Sequence, residues 1–130
     1  MTPTARSLAV LREMGYTTWI VEQWNGFAKK RYDLFGCIDI LAIHPELEVI
    51  LGVQACTTGD AAKRTTKALA EPMLRTWLEA GGRFEVWGWA KRGPAGKRKL
   101  WTLSRRQATL EEGQLEVAAL GAEAKRRRAS

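Results

Sequence analysis

The stretch CIDILAIHPELEVILGVQAC, residues 37–56, decides the fold that we predict for this 130-residue chain. Two of its segments, residues 37–43 and 49–56, are almost continuously apolar, which is typical of strands that are covered on both faces of a sheet. The HPELE segment between them contains Pro45 and predicts a turn. The stretch therefore predicts a β-hairpin in the middle of a sheet.

Two polar residues, Asp39 and Gln54, lie inside these apolar strands. Because side chains alternate between the faces of a strand, a tight hairpin puts Asp39 opposite or diagonal to Gln54 on one face. A buried carboxylate without a partner is costly, so Asp39 needs a cation, hydrogen-bond donors or a metal ion. Two interpretations stay open. Either backbone donors and Gln54 satisfy Asp39, or Asp39, the Gln54 side-chain oxygen and the Ala55 carbonyl oxygen hold magnesium, which prefers oxygen ligands.

The rest of the chain alternates between helical and strand patterns. The patterns predict helices at 4–14, 60–70 and 72–80, strands at 16–24, 83–91 and 98–103, a loop at 25–36 and a final short helix at 109–120. Thr57 with Asp60 resembles a capping box. These elements predict one α/β domain over residues 1–120, with a central mixed β-sheet flanked by α-helices. The basic residues 121–130 are expected to be a disordered tail.

The net charge of +7 is unevenly distributed. No acid lies between Glu85 and Glu111, and a further basic run, KRRR, occupies residues 125–128. Clustered basic charge favours a polyanionic partner, most often nucleic acid; the alternative is a solvated hairpin and a passive tail. The candidate nucleic-acid-binding residues of the acid-free interval are Lys91, Arg92, Lys97, Arg98, Lys99, Arg105 and Arg106.

Several classes of protein are not expected. No apolar run approaches the roughly 18 residues that a membrane helix needs, and the first residues lack the pattern of a secretory signal. Cys37 and Cys56 have neither CxxC spacing nor companion histidines, which argues against a zinc site. Free thiols in a reducing cytoplasm are therefore expected.

The six tryptophans could stack on bases, but the patterns around Trp77, Trp87 and Trp89 favour core packing for most of them.

Four segments of the chain resemble the PD-(D/E)XK nuclease superfamily, and within it the small Holliday-junction-resolvase-like and VRR-NUC-like nucleases of phages and prokaryotes. LREMGYTTWIVEQWN resembles the opening helix and strand, and DLFGCIDILAI resembles the strand with the metal-binding aspartate, at Asp39. ILGVQAC resembles the strand with the (Glu/Asp)-x-Lys motif, and WLEAGGRFEVWGWAK the helix and strand that follow. The resemblance covers residues 5–103 and implies a restriction-endonuclease-like core.

The chain departs from the superfamily at the (Glu/Asp)-x-Lys motif, which reads Gln54-x-Cys56. Cysteine cannot supply the charge of the motif lysine. Lys63 and Lys67 share a face of the following helix and are the candidates to replace it, with Arg64 as a further one.

Two more acids could complete the metal site. Glu22 lies in the predicted first strand, and Asp33 lies in the loop that precedes Asp39. For Asp33 the alternative is a cap at the end of that loop.

The resemblance implies a magnesium- or manganese-dependent DNA endonuclease that acts on branched or junction DNA in a prokaryotic cytoplasm and is encoded by the host or a phage. A homodimer is one arrangement that it allows. The metal would polarise the phosphodiester and activate water, and Lys63 or Lys67 would stabilise the charge that develops on phosphate. Two alternatives stay open: a catalytically inactive DNA-binding protein of the same fold, and a structural or partner-binding phage protein.

Overall fold

A computed structural model describes residues 1–120 of the chain. The elements follow in the order α1 (Pro3–Glu13), β1 (Thr17–Ile20), β2 (Gln23–Asn25), β3 (Lys30–Tyr32), β4 (Ile40–His44), β5 (Leu47–Thr57), α2 (Thr58–Leu69), α3 (Pro72–Glu79), β6 (Arg83–Arg92), β7 (Leu100–Glu111) and β8 (Gln114–Ala119). The first three predicted helices and the predicted strand over 83–91 are confirmed, with small shifts at their ends. The predicted tail, with its KRRR run, lies outside the described residues.

The central sheet has six strands in the order β1-β4-β5-β6-β7-β8. β5 and β6 are parallel, and the other neighbouring pairs are antiparallel. Parallel neighbours need a long crossover connection, which α2 and α3 provide. This confirms the predicted class, a mixed α/β protein with a central mixed sheet.

Helices cover both faces of the sheet. Leu8 and Leu11 of α1 belong to a buried cluster on one face with Ile40 and Trp87. On the other face, a second buried cluster joins α2 and α3 to β6 and β7; its members include Ala61, Leu74, Phe84, Val86 and Ala108. No helix within residues 1–120 is long and apolar enough to cross a membrane.

The predicted central hairpin is formed by β4 and β5. Its register pairs Ile40 with Val53, and the ladder shifts at a bulge between Ile43 and His44. Residues 51–56 are buried at every position, because β5 lies between β4 and β6 with helices on both faces. The apolar run in the sequence therefore correctly predicted that β5 lies in the middle of the sheet.

The predicted strand over 16–24 and the loop over 25–36 are corrected by the structure. The chain leaves the sheet after Ile20, and β2 and β3 form a separate two-stranded hairpin, called the β2–β3 hairpin below. The Asn25 side chain closes its turn by accepting hydrogen bonds from the backbone N–H groups of Phe27 and Ala28, both at 3.0 Å. The sequence pattern did not predict this hairpin because its strands are exposed and lack an apolar face.

The final helix predicted over 109–120 is also wrong. The strand predicted at 98–103 begins at Leu100 and continues to Glu111, and β8 returns antiparallel to it. Glu112 and Gly113 form the turn with φ values of 51° and 80°, and a two-residue turn with both φ values positive suits the twist of a β-hairpin. At the start of α2, Thr57 is the N-cap residue, but its side chain makes no capping hydrogen bond, so the predicted capping box does not form.

Candidate functional site

Asp39 lies just before β4 and is 3% exposed. Its backbone N–H donates to the Val53 carbonyl at 2.9 Å, which continues the β4–β5 ladder and brings Asp39 opposite Gln54. One carboxylate oxygen, Oδ2, accepts hydrogen bonds from the Ala55 backbone N–H at 2.9 Å and from the Gln54 side-chain amide at 3.0 Å. These two donors fix the orientation of the carboxylate.

Two further acids converge on Asp39. Glu22 lies between β1 and β2, and Asp33 follows β3, so the β2–β3 hairpin carries one acid at each of its ends. One side-chain oxygen from each of Glu22, Asp33 and Asp39 lies within 4.8 Å of the other two. We call these three residues the acidic cluster. The structure thus brings together three of the acids that the sequence singled out.

The pKa of Asp39 is raised by its surroundings. Burial raises the pKa of Asp39 to about 8, and the hydrogen bond and negative charge of Asp33 add to this effect. The Ala55 N–H opposes it, and Glu22 makes a smaller contribution in the same direction as burial. The carboxyl group therefore keeps its proton at neutral pH unless a cation compensates the crowded negative charge.

Gln54 contacts the acidic cluster through its amide group. Its Nε2 donates to Asp39 and lies 3.4 Å from Oδ2 of Asp33. This is the hydrogen-bonded arrangement that the sequence left open beside metal binding, and the Gln54 oxygen does not face the acids. The Ala55 N–H points at Asp39, and the N–H and C=O of one strand residue lie on the same side, so the Ala55 carbonyl oxygen faces this side as well.

Arg31 is the cation that contacts the acidic cluster. Its guanidinium group donates to Oε1 of Glu22 at 2.8 Å, and its side chain is 67% exposed. Within residues 1–120, no lysine or arginine forms a hydrogen bond or ion pair with Asp39 or Gln54. Sequence reasoning missed Arg31 because the contact depends on the hairpin that it did not predict.

The candidate replacements for the motif lysine lie together on α2. Lys63, Arg64 and Lys67 line a surface depression with Asp60. Burial raises the pKa of the Cys37 thiol to about 12, and the negative charge of Glu71 adds to the rise. Lys67 lies near enough to oppose it.

Cys56, at the position where the resemblance would place a motif lysine, is buried. Burial raises the pKa of its thiol to about 11, and Arg64 opposes the rise. Its Sγ donates to the Trp87 carbonyl at 3.7 Å. A buried thiol with a raised pKa is a poor nucleophile, so Cys56 is a packing residue.

The candidate nucleic-acid-binding residues divide into two groups. Lys91, Arg92, Lys97, Arg98 and Lys99 are all exposed at the end of β6 and in the connection to β7, and they form no ion pair with a described acid. We call these five residues the β6–β7 basic turn. Arg105 instead donates to the buried Glu85 at 2.7 Å, and Arg106 is half-buried.

Comparison of the chain with protein-family models, with curated proteins and with solved structures finds no match.

Proposed function

We propose that the chain is a metal-dependent DNA endonuclease with a restriction-endonuclease-like core, acting on branched or junction DNA. The observation that carries the proposal is the acidic cluster, with three carboxylate oxygens within 4.8 Å at the edge of the buried β4–β5 hairpin. Carboxylates packed this closely repel one another, and the pKa of Asp39 is raised mainly by burial, with the hydrogen bond and negative charge of Asp33 adding to the rise. A divalent cation would relieve the repulsion.

The donor set fits magnesium or manganese. Glu22, Asp33 and Asp39 supply hard oxygen ligands, which these ions prefer, and the carbonyl oxygen of Ala55 is available on the same side. When bound, the ion supplies a Lewis acid for the phosphodiester and a more acidic bound water. Asp39 would give up its proton as the site is loaded, while the Ala55 N–H and the Gln54 amide hold its carboxylate in place.

The positive charges of the chain supply the other requirements of phosphodiester cleavage. Arg31 can exchange Glu22 for a phosphate oxygen, because guanidinium binds both groups in the same geometry. Lys63 and Lys67 are proposed to offset negative charge that develops on phosphate. The β6–β7 basic turn would hold the DNA backbone without reading its sequence.

The proposal is tested by cleavage of forked, four-way and linear DNA with magnesium, with manganese and with EDTA. We expect cleavage only with metal and fastest on the branched substrates. Glu22→Gln keeps the size of the side chain but removes its charge, and it should slow cleavage at least about tenfold. Glu116→Gln, an exposed acid on β8, is the matched control and should cleave like the wild type. Cleavage that persists in EDTA would refute the proposal.

A second candidate, a DNA-binding protein of the same fold that does not cleave, is favoured by a specific observation. Cys56 stands in place of the motif lysine, and no lysine or arginine of the described chain contacts Asp39 or Gln54. Binding to DNA without cleavage of any substrate in either metal would favour this candidate.

DNA binding through the β6–β7 basic turn should be strongly salt-dependent. Each phosphate contact contributes about −0.9 to the slope of log K against log salt concentration on duplex DNA. Replacing Lys97 and Lys99 together with glutamine should therefore make that slope less negative by about 2. Arg83→Gln, at the opposite end of β6, is the control and should leave the slope unchanged. Equal slopes for all three proteins would exclude the turn from the interface.

A further inference from the structure

The β2–β3 hairpin exposes three aromatic side chains that belong to neither buried cluster of the described chain. Trp24 is 62% exposed, Phe27 is fully exposed at 101%, and Tyr32 is 49% exposed. Single exposed apolar residues are common, but three aromatic residues on one short hairpin need an explanation. The rings contribute nothing to the buried clusters that stabilise the domain, so folding does not account for them.

The same hairpin is basic. Lys29, Lys30 and Arg31 are exposed, and residues 23–32 contain no acid. Aromatic rings beside positive charge are the combination that binds single-stranded nucleic acid, because bases stack on the rings while the cations hold the phosphates. The β6–β7 basic turn, by contrast, offers charge without exposed aromatic rings between its cations.

The register of the hairpin connects this surface to the acidic cluster. Trp24 pairs with Arg31 and Gln23 with Tyr32, and continuing this register by one residue brings Glu22 opposite Asp33. Because alternate residues share a face, Trp24 and Arg31 lie on the face that carries these two acids. Trp24 is two strand residues from Glu22, about 6.6 Å, which is comparable with the distance between neighbouring phosphates of one strand.

Contacts within the β2–β3 hairpin hold its turn and the Arg31 side chain. The Asn25 side chain holds the backbone of the turn, Lys29 adopts a left-handed conformation with φ of 53°, and Arg31 is tied to Glu22. A preorganised surface loses little conformational entropy on binding.

We infer that the β2–β3 hairpin is a stacking platform for unpaired bases of single-stranded DNA, with Trp24 holding the base next to the phosphate at the acidic cluster. The location of the cleaved phosphate rests on the proposed nuclease function, whereas the binding of single strands does not. The hairpin would thus select substrates with a single-stranded segment beside the cleavage site, as a fork or an open junction provides.

The test measures binding of the full chain, in EDTA, to a fluorescent single-stranded oligothymidine and to a fully paired duplex of equal length. Trp24→Leu removes the aromatic ring but keeps an apolar side chain, and we expect it to weaken single-strand binding about tenfold and duplex binding less than about twofold. Trp24→Phe keeps an aromatic face and should stay within about threefold of the wild type. Equal loss on both DNAs, or no loss with Trp24→Leu, would overturn the inference.

A second variant addresses the charge of the hairpin. Arg31→Gln, on the face that carries Trp24, should weaken single-strand binding and reduce its salt slope by about 0.7, the value for one phosphate contact on a single strand. An unchanged slope would remove Arg31 from the platform. Thermal unfolding of each variant, with an unchanged Tm, establishes that the hairpin substitutions leave the fold intact.

Other results separate this inference from the proposed function. If single strands bind through Trp24 but no DNA is cleaved, the platform stands and the nuclease proposal fails. If branched DNA is cleaved but Trp24→Leu leaves single-strand binding unchanged, the platform fails and the nuclease stands. If sedimentation shows a dimer that Trp24→Leu dissociates without any effect on DNA binding, the exposed rings serve a second copy of the chain, and the inference is wrong.

Discussion

Asp39→Asn is expected to abolish metal-dependent cleavage while making the metal-free protein more stable at alkaline pH. Cleavage should fall at least about 100-fold, because a lost charged ligand removes several kcal/mol of transition-state stabilisation. The gain in stability has a separate cause. Asparagine can keep the hydrogen bonds from Gln54 and Ala55 through its oxygen and can donate its amide to Asp33, so it relieves the repulsion among the acids.

The sign of the stability effect follows from the proton balance. The pKa of Asp39 is about 8 in the folded protein, against an ordinary value near 4 for an unfolded aspartate. Between these values the folded state binds more protons, so the free energy of unfolding falls as the pH rises from 4 to 8. At pH 9 the asparagine variant should be more stable than the wild type by on the order of 5 kcal/mol, and at pH 4 the difference should vanish.

Denaturant unfolding at pH 4, 7 and 9, with EDTA and with magnesium, checks this prediction. Magnesium should raise the stability of the wild type at pH 9, since ligands that bind only the folded state stabilise it, and should leave the variant unchanged. Asp60→Asn is the matched control: Asp60 is exposed on α2, so this variant should have the same stability as the wild type at each pH. A wild type whose stability is flat from pH 4 to pH 8 would contradict the assigned environment of Asp39.

The second large effect is expected at Glu85. This carboxylate is 2% exposed and accepts hydrogen bonds from Arg105 at 2.7 Å and from the Trp87 ring nitrogen at 2.9 Å. Glu85→Leu leaves the guanidinium of Arg105 and the ring N–H of Trp87 without this partner, which should lower the free energy of unfolding by about 3–5 kcal/mol. The double variant Glu85→Leu/Arg105→Leu removes both charges and should recover most of that loss.

Unfolding of Glu85→Leu, Arg105→Leu and the double variant measures the coupling free energy between Glu85 and Arg105. Arg31→Gln is the contrasting control, because its ion pair with Glu22 is exposed and should contribute only about 0–1 kcal/mol. The double variant also tests the predicted role of Arg105 in binding nucleic acid. If Arg105 serves only the internal ion pair, the double variant should bind DNA like the wild type. Additive losses would show that Glu85 and Arg105 act independently.

The sequence predicted best where burial dominates. The apolar run over residues 51–56 lies between two strands and under helices on both faces, where every one of its residues is buried. Asp39 and Gln54 stood out for the same reason, since polar side chains in such a run need partners. Their mutual hydrogen bond was one of the two arrangements that the residue pattern allowed.

The sequence predicted least where structure depends on turns rather than on a core. β2, β3 and β8 carry many exposed side chains, so hydrophobic periodicity does not distinguish them from loops or amphipathic helices. The signals that exist are local. Asn25-Gly26 and Glu112-Gly113 precede chain reversals, and the first of them brings Glu22 to Asp33. Without that hairpin, the three acids appear scattered along the chain instead of gathered around one point.

The path of the chain between β1 and β4 has a consequence for how such a site can arise. These strands are neighbours in the sheet, and antiparallel neighbours need a connection of only about two to five residues. Here the connection includes the whole β2–β3 hairpin, and the three acids lie in it or at its very end. Two of the three acids thus belong to a segment inserted between two neighbouring strands of the sheet, and the third, Asp39, lies where that segment meets β4.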